Sequence, residues 1–163
     1  ETLIRCAGGE TISLKLDTTL PKYYSRELTV RGTKGLANQE LNMIALEGEQ
    51  NLHEYYEPAP FVKKYFDNAG EYEKEFLHPV WRDITPEETK LGHGGMDYIM
   101  FREFFRAVRS GEALPIDVYD AAAWMSIAAL SESSIARGGA PVDIPDFTNG
   151  GWVKRCPKDV FSF

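Results

Sequence analysis

In the stretch "ETISLKLD" (residues 10–17) apolar and polar residues alternate from Thr11 onward, with Ile12, Leu14 and Leu16 on one face of an extended chain and Ser13, Lys15 and Asp17 on the other. A period of two describes a strand with one apolar face. Just upstream, Gly8-Gly9 suits the positive φ of a tight turn, so residues 2–19 predict a β-hairpin. "SRELTVRGTKGLANQ" repeats the logic: Leu28 and Val30 point one way, Arg31 the other, and "GTKG" (Gly32 to Gly35) turns the chain into another short strand. "LNMIALEGEQ" predicts one more. The first fifty residues therefore predict an antiparallel meander whose apolar face has to be covered.

Two helical patterns downstream offer the cover. Phe101, Phe104, Phe105 and Val108 keep helical spacing, Arg102, Arg106 and Arg109 lie toward the other side, and Ser110-Gly111 ends the run. In "IDVYDAAAWMSIAALSESSIARGG", Asp117 is a candidate N-cap, Asp120 suits the positive first turn, and Gly138 suits the left-handed conformation that ends helices. The alanines of this helix leave room for close approach, and Trp124, Met125 and Ile127 are expected in the core. From Asn51 to about Leu91 the periodicity breaks down into a long excursion, with short helices expected at "PFVKKYFD" and "PEETKL". The tail "APVDIPDFTNGGW" reads as extended. The predicted fold class is α+β: an open, largely antiparallel sheet with helices covering one face, residues 1–163 forming a single domain.

Composition narrows the function classes. A net charge of -7, with Lys and Arg dispersed among carboxylates, disfavours nucleic acid as a partner. With 43% hydrophobic residues and no apolar run approaching the roughly 20 residues of a membrane span, the chain reads as a soluble globular protein. Cys6 and Cys156 lack metal-ligand spacing and are either free thiols or one bridge. His53 and His78 have no ligand-like neighbours, so no metal is expected. The chain opens with "ETLIRC", already inside a strand-like pattern and without an initiator methionine, which predicts a piece of something longer.

Two stretches carry candidate chemistry. "GHGGMDYIM" places Gly92, Gly94 and Gly95 before a helix, in a spacing that does not match the GxGxxG dinucleotide fingerprint. Its glycines permit close backbone approach, and His93 and Asp97 then stand at a helix entrance facing a cleft; alternatively Asp97 merely stabilises the first turn and His93 is a structural histidine. "PKYYSRELTVRG" crowds Tyr23, Tyr24, Ser25 and Arg26 where a strand begins, a pattern that suits a sugar, whose apolar face packs on a tyrosine ring while the phenol bonds a hydroxyl, or an ordinary strand with aromatic pairs. The serines and carboxylates form neither a nucleophile elbow nor a carboxylate pair recognisable by spacing.

Together, "TTLPKYYSRELTVRGTKG", "GHGGMDYIM" and "PIDVYDAAAWMSIAALSESSIARGGAPVDIPDFTNGGW" resemble the C-terminal part of the NAD-dependent α-N-acetylgalactosaminidase-like glycoside hydrolases, within the glucose-fructose oxidoreductase and inositol dehydrogenase superfamily. The resemblance covers nearly the whole chain in order and is weakest from about Asn38 to Lys90. It implies that residues 1–163 are a substrate-side and oligomerisation domain, that the NAD-binding Rossmann domain is N-terminal and absent from this chain, and that the parent oxidises a glycoside, eliminates the aglycone, adds water and reduces the product. Tyr24 matches the substrate-contacting tyrosine of the family's "PYSR"-type segment, although "KYYSR" adds Tyr23 as a departure. His93, heading "HGGMD", matches a family motif, and His93 and Asp97 are expected to line the substrate cleft. The family's principal catalytic histidine and tyrosine lie upstream of this segment. The resemblance further implies a sugar or glycoside substrate, a homo-oligomer formed through the sheet, inactivity of the fragment alone, and a family often exported. Alternative readings are a sugar oxidoreductase of the same superfamily and a non-catalytic oligomerisation or carbohydrate-binding module.

Overall fold

Five short strands, paired antiparallel throughout, and five helices make an open α+β arrangement with no closed barrel among the described residues. The computed structural model describes residues 1–49, 58–114 and 116–155, so His53 and Cys156, and with Cys156 the question of a bridge to Cys6, lie outside the described residues. Packing divides the chain into two units, Thr18–Asp83 and the combination of Glu1–Asp17 with Ile84–Phe163.

In the second of these, β1 (Thr2–Arg5) and β2 (Thr11–Leu14) form the expected hairpin, in register Thr2 to Leu14 and Ile4 to Ile12. The turn closes through Cys6 N–H to Glu10 O at 2.8 Å, with Gly9 at φ 100°. In the Thr18–Asp83 unit, β3 (Thr29–Gly32), β4 (Gly35–Asn38) and β5 (Met43–Leu46) form a separate three-stranded sheet, β3-β4-β5, with Gly32 opposite Gly35 at the expected turn. The expectation of one continuous meander is corrected here. The alternation of "ETISLKLD" ends as a strand at Leu14, and residues 15–28 form none, so the two sheets share no strand pair. The apolar faces expected around Ile12, Leu14, Leu16, Leu28 and Val30 are exposed.

Cover for the three-stranded sheet comes from α1 (Pro58–Tyr65), the helix expected at "PFVKKYFD". Met43 and Ala45, alternate residues of β5, are buried with Tyr65, and Leu36, Leu41 and Phe61 pack against them. Phe61 and Tyr65, one turn apart, meet with ring centroids 4.8 Å apart and tilted by 48°. Two single-turn helices follow that periodicity could not mark, α2 (Glu73–Phe76) and α3 (Pro79–Arg82). The second has a local cause: Pro79 sits in its first turn, and the His78 ring accepts the Val80 N–H at 3.3 Å as an N-cap.

In the other unit, "TPEE" (residues 85–88) forms a reciprocal cap, Thr85 N–H to Glu88 at 2.7 Å and Glu88 N–H to Thr85 Oγ at 3.2 Å, before a 3-10 turn at Glu88–Lys90. α4 (Met96–Ser110) ends at Gly111 in the left-handed conformation, as expected. Its buried stripe is Ile99, Glu103 and Ala107, whereas Phe101, Phe104, Phe105 and Val108 are exposed. Helical periodicity marks which side of a helix is greasy, but which side is covered depends on the element that packs there. On the inner side of α4 the burial of Glu103 is compensated by Arg102 Nε at 3.1 Å and Arg106 Nε at 2.9 Å.

α5 (Val118–Ala136) starts with the expected cap: Asp117 accepts the Tyr119 and Asp120 N–H groups, and Asp120 accepts the Asp117 N–H in return. Arg155 clamps that end with 2.7 Å bonds to both Asp120 oxygens and a 3.0 Å bond to Asp117. Thr2 and Ser131 hydroxyls, 2.9 Å apart, tie β1 to this helix. The core placement expected for α5 is corrected: no residue of it is buried, Ile127 is half-buried, and Trp124 and Met125 are 62% and 77% exposed. A helix apolar on several sides acquires a buried face only from what packs on it.

Candidate functional site

Four consecutive residues with positive φ precede α4: Gly92 at 69°, His93 at 43°, Gly94 at 71° and Gly95 at 93°. Two of the glycines are dictated by contact as well as by torsion. A Cβ on Gly95 would run into the Ile84 side chain and come within 3.2 Å of the Thr89 Cα, and one on Gly92 would collide with the Asp97 carboxylate. His93 takes the same backbone region without glycine's freedom, at a cost of about 1–2 kcal/mol.

The turn aims His93 back along the first turn of α4, where its Nδ1 meets Asp97 Oδ2 at 2.9 Å. Both side chains are open, 74% and 46% exposed. Asp97 and Gly92 stand among the residues lining an open groove of about 1120 Å³ along α4, together with Tyr98, Phe101, Arg102 and Phe105. The groove wall is mostly aromatic, with Phe101 and Phe105 stacked at 6.2 Å and the Arg102 guanidinium 5.7 Å from the Tyr98 ring centre. A hydrogen bond with the Glu88 carboxylate holds the Tyr98 phenol above its ordinary range and lowers Glu88 in return. Burial pushes the Glu103 carboxyl up, but hydrogen bonds and charge from Arg106 and Arg102 outweigh it and leave the group below the usual carboxylate range.

Tyr24 belongs to the other unit. It lies on an irregular segment ahead of β3 rather than in a strand, is 85% exposed, and accepts a 3.3 Å hydrogen bond from Arg26 Nε. Its neighbour Tyr23 donates to Glu40 at 3.1 Å, and that bond and charge raise the Tyr23 phenol. Ser25 accepts the Glu27 N–H at 2.7 Å, with Glu27 at φ 48°, and Lys22 pairs with Glu27 at 2.8 Å. Of the three residues expected to contact substrate, His93 and Asp97 are thus bonded to each other, and Tyr24 stands on an irregular segment of the Thr18–Asp83 unit. Helical spacing marks the Phe101–Phe105 wall only as the apolar side of an amphipathic helix, and no local signal separates an exposed aromatic stripe from a buried one.

Among the described residues no group of three or more His, Cys, Asp or Glu is arranged to hold a metal. Nor do these residues fit a dinucleotide: every paired strand is antiparallel, and the glycine run enters α4 from a 3-10 turn rather than from a strand.

Comparison with known proteins gives the arrangement its relatives. An "Alpha-N-acetylgalactosaminidase" of Tannerella forsythia is 41% identical over 156 residues, 96% of this chain and 31% of the relative. A "Glycosyl hydrolase family 109 protein" of Parabacteroides distasonis is 40% identical over 96% of the chain and 31% of its own length, and one of Stenotrophomonas maltophilia 41% identical over 99% and 33%. The chain thus spans about a third of the length of these curated relatives. The model of the family described as "Glycosyl hydrolase 109, C-terminal domain" matches residues 1–154, and this chain belongs to that family.

Proposed function

We propose that this chain is the substrate-side domain of an NAD-dependent glycoside hydrolase acting on α-N-acetylgalactosaminides, with the cofactor held by a separate N-terminal Rossmann domain. The observation that carries the reading is the 41% identity, across 96% of this chain, to a protein named for that activity. Tyr24, His93 and Asp97 are the residues assigned to the sugar: an exposed phenol and an exposed imidazole–carboxylate pair offer both a stacking surface and hydrogen-bonding groups for hydroxyls. Residues 1–163 act as one substrate-side domain, the sheet pairs subunits, and the parent protein is exported. The fragment alone is inactive.

A polypeptide that includes the preceding domain, compared with this chain, tests the reading. The longer protein is expected to retain NAD through gel filtration and to release the phenol from an aryl α-N-acetylgalactosaminide, and the 163-residue chain to do neither. A cofactor-free and inert longer protein overturns the proposal. Accumulation of NADH with free sugar would assign it to sugar oxidation instead.

A further inference from the structure

We infer that Asp97 is a positioning residue: it holds His93 as the tautomer protonated on Nδ1, so that Nε2 presents a lone pair to a substrate hydroxyl, and Asp97 acts on the sugar only through that ring. The inference deepens the proposed function and rests on it for the identity of the ligand.

The chemistry of the pair decides the tautomer. An ionised carboxylate has acceptor sites and no proton, so at 2.9 Å from Asp97 Oδ2 the hydrogen must sit on His93 Nδ1. In the neutral ring Nε2 is then the acceptor. With the imidazole 74% exposed, that lone pair is open to a ligand.

The backbone around the pair is shaped to produce this geometry. His93 is held at φ 43° between glycines, and such an outlier at a candidate site is an observation that asks for a function. Gly92 leaves empty the space a Cβ would need, and the Asp97 carboxylate fills it. Asp97 and Gly92, though not His93 itself, also line the groove along α4, a space large enough for a sugar.

The tautomer can be read in this chain without cofactor or sugar. The chain has three histidines, so ring-nitrogen NMR of histidine-labelled protein, with His93→Gln to assign the signal, is tractable. At about pH 8.5, above the ordinary imidazole range, His93 is expected to show Nδ1 protonated. Asp97→Ala should move it to the Nε2-protonated form, as should Asp97→Asn, whose amide can turn its N–H to Nδ1, whereas Asp97→Glu, which keeps an acceptor-only carboxylate, should keep the native signature, with unchanged amide spectra as the folding control. An Nε2-protonated ring in the unmutated chain, or an unchanged tautomer in Asp97→Ala, overturns the inference. In the longer polypeptide, Asp97→Ala and His93→Gln should each raise KM for an aryl α-N-acetylgalactosaminide by about five- to tenfold, the loss of one hydrogen bond, with kcat changed by less than about threefold, and Asp97→Glu, which keeps the carboxylate, should recover most of the loss. A KM unmoved by Asp97→Ala overturns the positioning role. An inert unmutated longer protein would sink the functional reading and the sugar as ligand, while the tautomer measurement still decides what Asp97 does to His93.

Discussion

The Asn68 side chain occupies the free edge of β5 as a neighbouring strand would, its Oδ1 accepting the Ile44 N–H at 2.8 Å and its Nδ2 donating to the Ile44 carbonyl at 2.7 Å. One carboxamide thereby satisfies both backbone groups of a half-buried strand residue and fastens the segment after α1 to the sheet. Asn42 and Asp67, both at positive φ, add a 2.7 Å bond beside it. Asn68→Ala is expected to lower the stability of the Thr18–Asp83 unit by about 1–3 kcal/mol, read from the urea midpoint. Protection of the Ile44 amide from hydrogen exchange should fall with it.

Tyr65 presents the opposite situation. Its ring is central to the small core, yet its hydroxyl is buried with no hydrogen-bond partner among the described residues. A buried polar group without a partner costs stability, so Tyr65→Phe, which keeps the ring against Phe61, Met43 and Ala45, should stabilise by up to about 1 kcal/mol. Tyr65→Ala should cost about 3–5 kcal/mol by opening a cavity. Denaturant titration of the pair checks both signs.

The cap of α5 depends on Asp117. Asp117→Ala removes the acceptor for the Tyr119 and Asp120 N–H groups, and is expected to destabilise the helix by about 1 kcal/mol. Asp117→Asn should keep most of the cap while weakening the Arg155 clamp. Far-UV circular dichroism and amide exchange at Tyr119 and Asp120 distinguish the two variants.

Glu103 sets an acid limit on the unit containing α4. Its folded-state carboxyl lies below the usual range, so its contribution is fully present above the unfolded glutamate value of about 4.3 and is lost as pH falls through the lower folded value. Stability should therefore decline on acidification below about pH 4.3, and Glu103→Gln should reduce that slope while lowering stability at pH 7. Thermal unfolding of both forms across pH 3–7 makes the comparison, and an identical slope in the variant would remove Glu103 from the account.

The legible features were those set by short-range torsion and hydrogen bonding. Gly8-Gly9 and Gly32–Gly35 turn their strands as read, Asp117 and Gly111 cap their helices, and "PFVKKYFD" is a helix. What the residues did not reveal depends on distant packing. Phe101, Phe104 and Phe105 carry flawless helical spacing but face outward, and Trp124 and Met125 are open although they read as core. Strand alternation could not say that β1-β2 and β3-β4-β5 are different sheets, because pairing partners are chosen by tertiary geometry. The Asn68 bracket joins residues 24 apart and leaves no local trace. For the candidate site, the glycine run and the His93–Asp97 spacing of four were visible, and only coordinates supplied the bond between them.

With its indole 62% uncovered on α5, Trp124 is an intrinsic reporter. In a background where Trp81 and Trp152 are replaced by Phe, its emission and its accessibility to a soluble quencher would register anything that settles against that helix, so assembly can be followed optically without a dye or tag.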